Sequence, residues 1–90
     1  MIGLTPEMTA VEVVRHGVLR LTFEDGRSAE VEVLDRMWGP VFEEARTPEG
    51  FAAAAFDPES RTVVWRPGQA DLAPDTLYVR VKTGRWPDLD

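Results

Sequence analysis

Between Trp65 and Tyr78 the chain reads WRPGQADLAPDTLY, and two carboxylates, Asp71 and Asp75, stand one helical turn apart with the phenol of Tyr78 close behind. Carboxylate oxygens suit hard cations such as Mg2+ or Ca2+. Protein sites for those ions draw on a longer acidic loop with a spaced glycine, so two aspartates are a weak donor set. A local role accounts for the same residues more simply. Asp71 satisfies backbone N–H groups in the turn or at a helix start, and Pro74 preorganises that start. Leu77 packs, and Tyr78 buries its ring while its hydroxyl reaches a backbone or carboxylate partner. Trp65 then closes the preceding strand against them. The competing use is recognition, with Asp71, Asp75 and Tyr78 lining a polar groove for a partner.

Other reactive groups are scarce. His16 is the only histidine, it precedes a glycine in a turn-like pair, and a general base needs positioned partners. Cysteine is absent and the serines are Ser28 and Ser60, so no nucleophile–base arrangement is credible and zinc lacks ligands. The seven glycines fall singly, without the clustering of a phosphate-binding loop. These absences lead us to expect no enzyme and no cofactor. Exposed tryptophans are enriched at binding hot spots, so Trp38, Trp65 and Trp86 were weighed as contacts. Trp65 reads as core, Trp38 fits core or surface, and Trp86, in an acidic tail with a proline, reads as the exposed anchor for a partner or a second copy.

Charge narrows the partners. The net charge is −6: residues 1–45 carry four Arg against nine Asp and Glu, and residues 46–90 carry six Arg and Lys against seven. Nucleic-acid binding rests on counterion release by a basic face, which the first half lacks. A phosphate-facing surface would have to come from Arg66, Arg80, Lys82 and Arg85, and direct nucleic-acid binding is not expected. Glu12, Glu30 and Glu32, with Arg20 and Thr22 among them, predict a wet, largely acidic sheet face that discourages edge aggregation and attracts a basic protein.

The elements that place these residues follow from periodicity. AVEVVR, VLRLTF and SAEVEVL alternate apolar and polar residues with period two, which marks half-buried strands. His16-Gly17 and Asp25-Gly26 separate them and supply the positive φ angles of tight hairpins, giving a three-stranded meander. Gly39-Pro40 opens VFEEAR, a helical segment with Val41, Phe42 and Ala45 toward the sheet and Glu43 and Glu44 near its positive end. Thr47-Pro48-Glu49 reads as a fresh cap and first turn or as a turn leading out. FAAAAF, followed by the turn signal Asp57-Pro58-Glu59-Ser60, is read as a strand over 51–57 paired with 61–65. Pro74 starts a helical turn over 74–79, with Asp71 or Ala73 near its cap and 80–83 open between helix and strand.

The sequence thus predicts a two-layer α+β domain. A mainly antiparallel sheet of about five strands, the meander plus a hairpin, carries one or two short helices on one face. Ninety residues make one domain, 1–90, with a frayed tail over 85–90; a chain this size buries about 60% of its unfolded surface in a single core. MIGLTPEMTA has no basic region leading into an apolar run, and no window reaches the length of a membrane span, so we expect a cytoplasmic protein with no membrane contact.

LTFEDG, GPVFEEAR and above all TVVWRPGQADLAPDTLY resemble the bacterial domain-of-unknown-function family 2442, across nearly the whole chain. The family pattern is a strand ending in Trp, a turn with Gly, then Asp-x-x-Pro-acidic-x-Leu-Tyr. Trp65, Gly68, Asp71, Pro74, Asp75, Leu77 and Tyr78 supply it. VRVKTG is more β-branched than the family's usual helix, and alanines replace the aliphatic strand after Phe51. The resemblance implies a compact α+β fold and no transferable catalytic set. It implies partners in toxin–antitoxin-like pairs or an accessory role beside a helix-turn-helix protein. The expectation is a non-enzymatic protein-interaction module with a basic or DNA-associated partner, or a homodimer, using Trp65, Asp71, Asp75, Tyr78, Trp86, Glu30 and Glu32.

Overall fold

The computed structural model describes residues 5–65 and 70–86. The Arg66–Gly68 turn and the last four residues of the expected frayed tail lie outside the described residues.

The meander forms as its alternation requires: β1 (Met8–Arg15), β2 (Val18–Phe23) and β3 (Ser28–Glu32), in the order β1-β2-β3, all antiparallel. Register sends Val11, Leu21 and Ala29 to one face in a cross-strand row, with Val13, Leu19 and Val31 in the next. Leu19, Leu21 and Val31 are wholly buried. The opposite face carries the row Glu12–Arg20–Glu30. Gly26, at φ 92°, turns the second hairpin through a region that side chains avoid.

A second three-stranded sheet follows: β4 (Ala55–Asp57), β5 (Thr62–Trp65) and β6 (Ala70–Asp71), also antiparallel. β1 packs against β4 and β5, and Arg61 pairs with Glu7 at 3.0 Å across that junction. The expected sheet of about five strands is therefore split. Six strands form two three-stranded sheets, because two-residue β6 adds an edge to β5 and, among the described residues, no ladder joins β1 to the second sheet.

Helix α1 (Pro48–Phe51) replaces the expected strand over the first part of 51–57. Thr47 caps it, its Oγ1 accepting from the Gly50 N–H at 3.0 Å, with Pro48 at the first position and Glu49 beside the positive helix end. Phe51 is then drawn into the core at 0% exposure, and only Ala55–Asp57 extend into β4. The turn after β4 is built by Asp57, whose carboxylate accepts from the Glu59 N–H and the Ser60 hydroxyl. The GPVFEEAR segment is a 3-10 turn at Pro40–Phe42 followed by turns, with Phe42 and Ala45 inward as expected and Val41 outward, 56% exposed.

Helix α2 (Pro74–Thr83) settles the open stretch 80–83 as helix. Its β-branched residues alternate, but Leu77, Tyr78 and Val81 also share one helical stripe, and that stripe packs against the core. Gly84 ends the helix in the left-handed conformation, its N–H bonding the Arg80 carbonyl at 2.8 Å. α2 lies against β3, closing the inner face of the meander. Met8, Phe23, Val33, Met37, Phe51, Val63, Trp65 and Leu77, from nearly every element, meet in one core.

Candidate functional site

Trp65 and Tyr78 serve chiefly as scaffold. Trp65, at the end of β5, is 1% exposed; its ring meets Phe51 at 5.7 Å and Phe42 at 6.0 Å, and Nε1–H donates to the Phe51 carbonyl at 3.2 Å. A partner cannot touch it in the folded protein. Tyr78 sits edge-on to Phe23 at 5.1 Å, and its hydroxyl donates to Asp25 Oδ2 at 2.7 Å. Of the two partners expected for Tyr78, backbone or carboxylate, it takes a carboxylate, from the β2–β3 turn.

Asp25 also accepts from the Arg27 backbone N–H at 3.0 Å and from Arg27 Nε at 3.2 Å, and Arg27 Nε reaches the Tyr78 hydroxyl at 3.3 Å. The Tyr78 hydrogen bond, followed by the Arg27 N–H, holds the Asp25 carboxyl below the usual carboxylate range. With donors and acceptors engaged on one another, the triad clamps α2 to the hairpin.

Asp71 and Asp75 do not join Tyr78 in a groove. Asp71 is exposed on β6 opposite Val64, and Asp75 is exposed in the first turn of α2. Of the two expected cap positions, Asp71 and Ala73, the N-cap of α2 is Ala73, without a side-chain cap. Among the described residues no group of three or more His, Cys, Asp or Glu side chains is placed to hold a metal.

Trp86, expected to be exposed, is half-buried, with the Arg36 guanidinium 4.6 Å and the Arg80 guanidinium 5.7 Å from its ring centre. Arg80 is therefore tied to Trp86, while Lys82, two positions on, leaves α2 in another direction. Lys82 and Arg85 are exposed, and Arg66 lies outside the described residues.

The outer meander face takes the form the sequence implies. Arg20 Nη2 bonds Glu30 Oε2 at 2.8 Å; Glu30, and then Glu12, raise the guanidinium pKa further. Thr22 and Ser28 continue the polar face beside Ala10, with the two hydroxyl oxygens 3.4 Å apart. Glu32 stands opposite Val18, at the mouth of a groove of about 250 Å³ that also takes in Arg15, His16 and Asp35. His16 is exposed in its turn, Nε2 lying 2.7 Å from the Arg46 carbonyl oxygen, with its ring edge-on to Phe51.

Trp38 fits core or surface by sequence alone, and nothing in the sequence marks Arg46 as a loop tie. Trp38 is 76% exposed, and the loop that carries it is tied across its base by Arg46, whose guanidinium donates to the Leu34 and Met37 carbonyls. An apolar residue next to Gly-Pro was the available signal, but burial of a lone tryptophan has no local signature.

The model of one protein family, described as a protein of unknown function, DUF2442, matches residues 8–83. No curated protein and no solved structure matches the chain.

Proposed function

The chain belongs to the DUF2442 family, and from that premise we propose that it is a non-enzymatic protein-interaction domain whose acidic meander face engages a basic protein partner. The observation that carries this reading is the outer row of the meander. Glu12, Glu30 and Glu32 are exposed on the outer side of the meander; of the cations in their cross-strand rows, Arg20 is already engaged by Glu30, and Arg15 stands in the row of Val18 and Glu32. A fixed array of like charge steers a complementary partner and sets register, contributing to association rate and specificity more than to raw affinity. An antitoxin-like pairing with a basic protein is one form this role takes. Among the described residues no helix is long and apolar enough to cross a membrane.

The test is co-purification of the tagged full chain from its native cells at low and high salt. A reproducible basic partner, released by salt and lost when Glu12, Glu30 and Glu32 are changed together to Gln, is expected. Recovery of no partner, or of one indifferent to those changes, overturns the reading. A second reading, an accessory component of a DNA-binding complex, draws on Lys82 and Arg85, exposed at the end of α2. Absence of any retardation of DNA at low salt, alone or with the co-purified partner, removes it.

A further inference from the structure

The loop between β3 and α1 is held at several points and open at two. Met37 is wholly buried, and Phe42 and Ala45 are nearly so. Arg46 ties the loop base to the Leu34 and Met37 carbonyls. Gly39, at φ 95°, reverses the chain and Pro40 fixes the next residue. Between these anchors Trp38 and Val41 stand out at 76% and 56% exposure, and they are the large hydrophobic residues that are exposed among the described ones. Single exposed apolar residues are ordinary. Two on one pinned turn, one of them Trp, are not explained by packing, since the neighbouring Met37 and Phe42 take the inward positions.

The charges around them select the occupant. Asp35, Glu43 and Glu44 are exposed on the same loop. Its arginines face elsewhere, Arg36 over the Trp86 ring and Arg46 onto the carbonyls. A second copy docked on this loop by twofold symmetry would set one acidic loop against another of the same charge, which disfavours that occupant. Resting on the interaction reading above, we propose that Trp38 and Val41 are the apolar anchor for a basic, amphipathic segment of a partner protein, with Asp35, Glu43 and Glu44 receiving its Lys and Arg side chains. A preorganised loop suits this role because little ordering entropy is lost on binding, and Trp supplies the large contact area typical of hot spots.

The probes are two synthetic amphipathic peptides, one of Leu and Lys and one of Leu and Glu, titrated into the full chain while tryptophan fluorescence is followed. The Leu/Lys peptide is expected to bind with a blue shift, and Trp38→Ser to weaken it by about tenfold or more. Trp38 is exposed, so this variant folds, which circular dichroism verifies. The anchor is overturned if the Leu/Lys peptide does not bind, if Trp38→Ser binds it equally well, or if the Leu/Glu peptide binds as tightly. It is also overturned if sedimentation shows the wild type self-associating through Trp38. Failure of the two readings is separable: binding lost in the Glu12, Glu30 and Glu32 triple variant but kept in Trp38→Ser leaves the acidic face and removes the anchor, and the reverse pattern does the opposite.

Discussion

Replacing Gly50 by Ala sets a local rule against a tertiary one. Gly50 lies inside α1 with an ordinary helical backbone, so propensity alone favours Ala by about 1 kcal/mol. The fold forbids it. A Cβ at this position would stand 2.0 Å from the Glu44 carbonyl oxygen, 2.8 Å from its carbon and 3.0 Å from Thr47 Oγ1. The first two are backbone atoms, which cannot rotate away. Relief requires the 44–47 turn and α1 to part, and Thr47 Oγ1 links them: it donates to the Glu44 carbonyl at 2.8 Å and accepts from the Gly50 N–H at 3.0 Å. Overpacking costs about 1–3 kcal/mol, and loss of the Thr cap about 1 kcal/mol more. Set against the propensity gain, the net is a destabilisation of ~2 kcal/mol. For a domain this size that lowers Tm by about 10 °C. Thermal and urea unfolding followed by circular dichroism measure it, with Thr47→Ala as the companion that removes the cap without the clash. A Gly50→Ala protein melting at or above the wild-type temperature would refute the close approach of α1 to Glu44.

The Asp25–Tyr78 clamp makes stability pH-dependent. Because folding lowers the Asp25 pKa, its contribution is fully present above the unfolded value of about 3.9 and is lost as pH falls through the folded value. Asp25→Asn and Tyr78→Phe should therefore flatten the acid limb of Tm against pH, and an unchanged acid limb would count against the clamp. Leu77→Ala, at 1% exposure, should cost about 2–5 kcal/mol in urea unfolding. Trp38→Ser, on the surface, should stay within about 0.5 kcal/mol of wild type. Acrylamide should quench Trp38 first, Trp86 next and Trp65 least, as read from the single-tryptophan variants; equal accessibility of Trp38 and Trp65 would contradict the burial described.

Much of the fold was legible because it is locally encoded. Period-two alternation and two X-Gly pairs determined the meander and which of its faces is wet, down to the Glu12–Arg20–Glu30 row. Pro74 with Asp75 located the start of α2, and Thr47-Pro48-Glu49 carried the start of α1 as one of two readings. The family match follows from the same stretches.

What the chain could not announce was set by contacts between distant segments. Residues 80–83 alternate like a strand, and they are helix because Leu77, Tyr78 and Val81 together cover the open face of the meander. Phe51 was assigned to a strand, yet it closes a capped helical turn because the core requires its ring beside Trp65. Tyr78 called for a backbone or carboxylate partner, and only the folded chain brings Asp25 from the far hairpin. Trp86 departs from its expected exposure, and Trp38, open between core and surface by sequence alone, lies on the surface, because burial depends on what surrounds a side chain: Arg36 and Arg80 shelter Trp86, while Met37 and Phe42 fill the interior beside Trp38 and leave it outside. Period and turn chemistry are properties of neighbours in sequence; burial, pairing and close approach are properties of neighbours in space, and those exist only once the layers have packed.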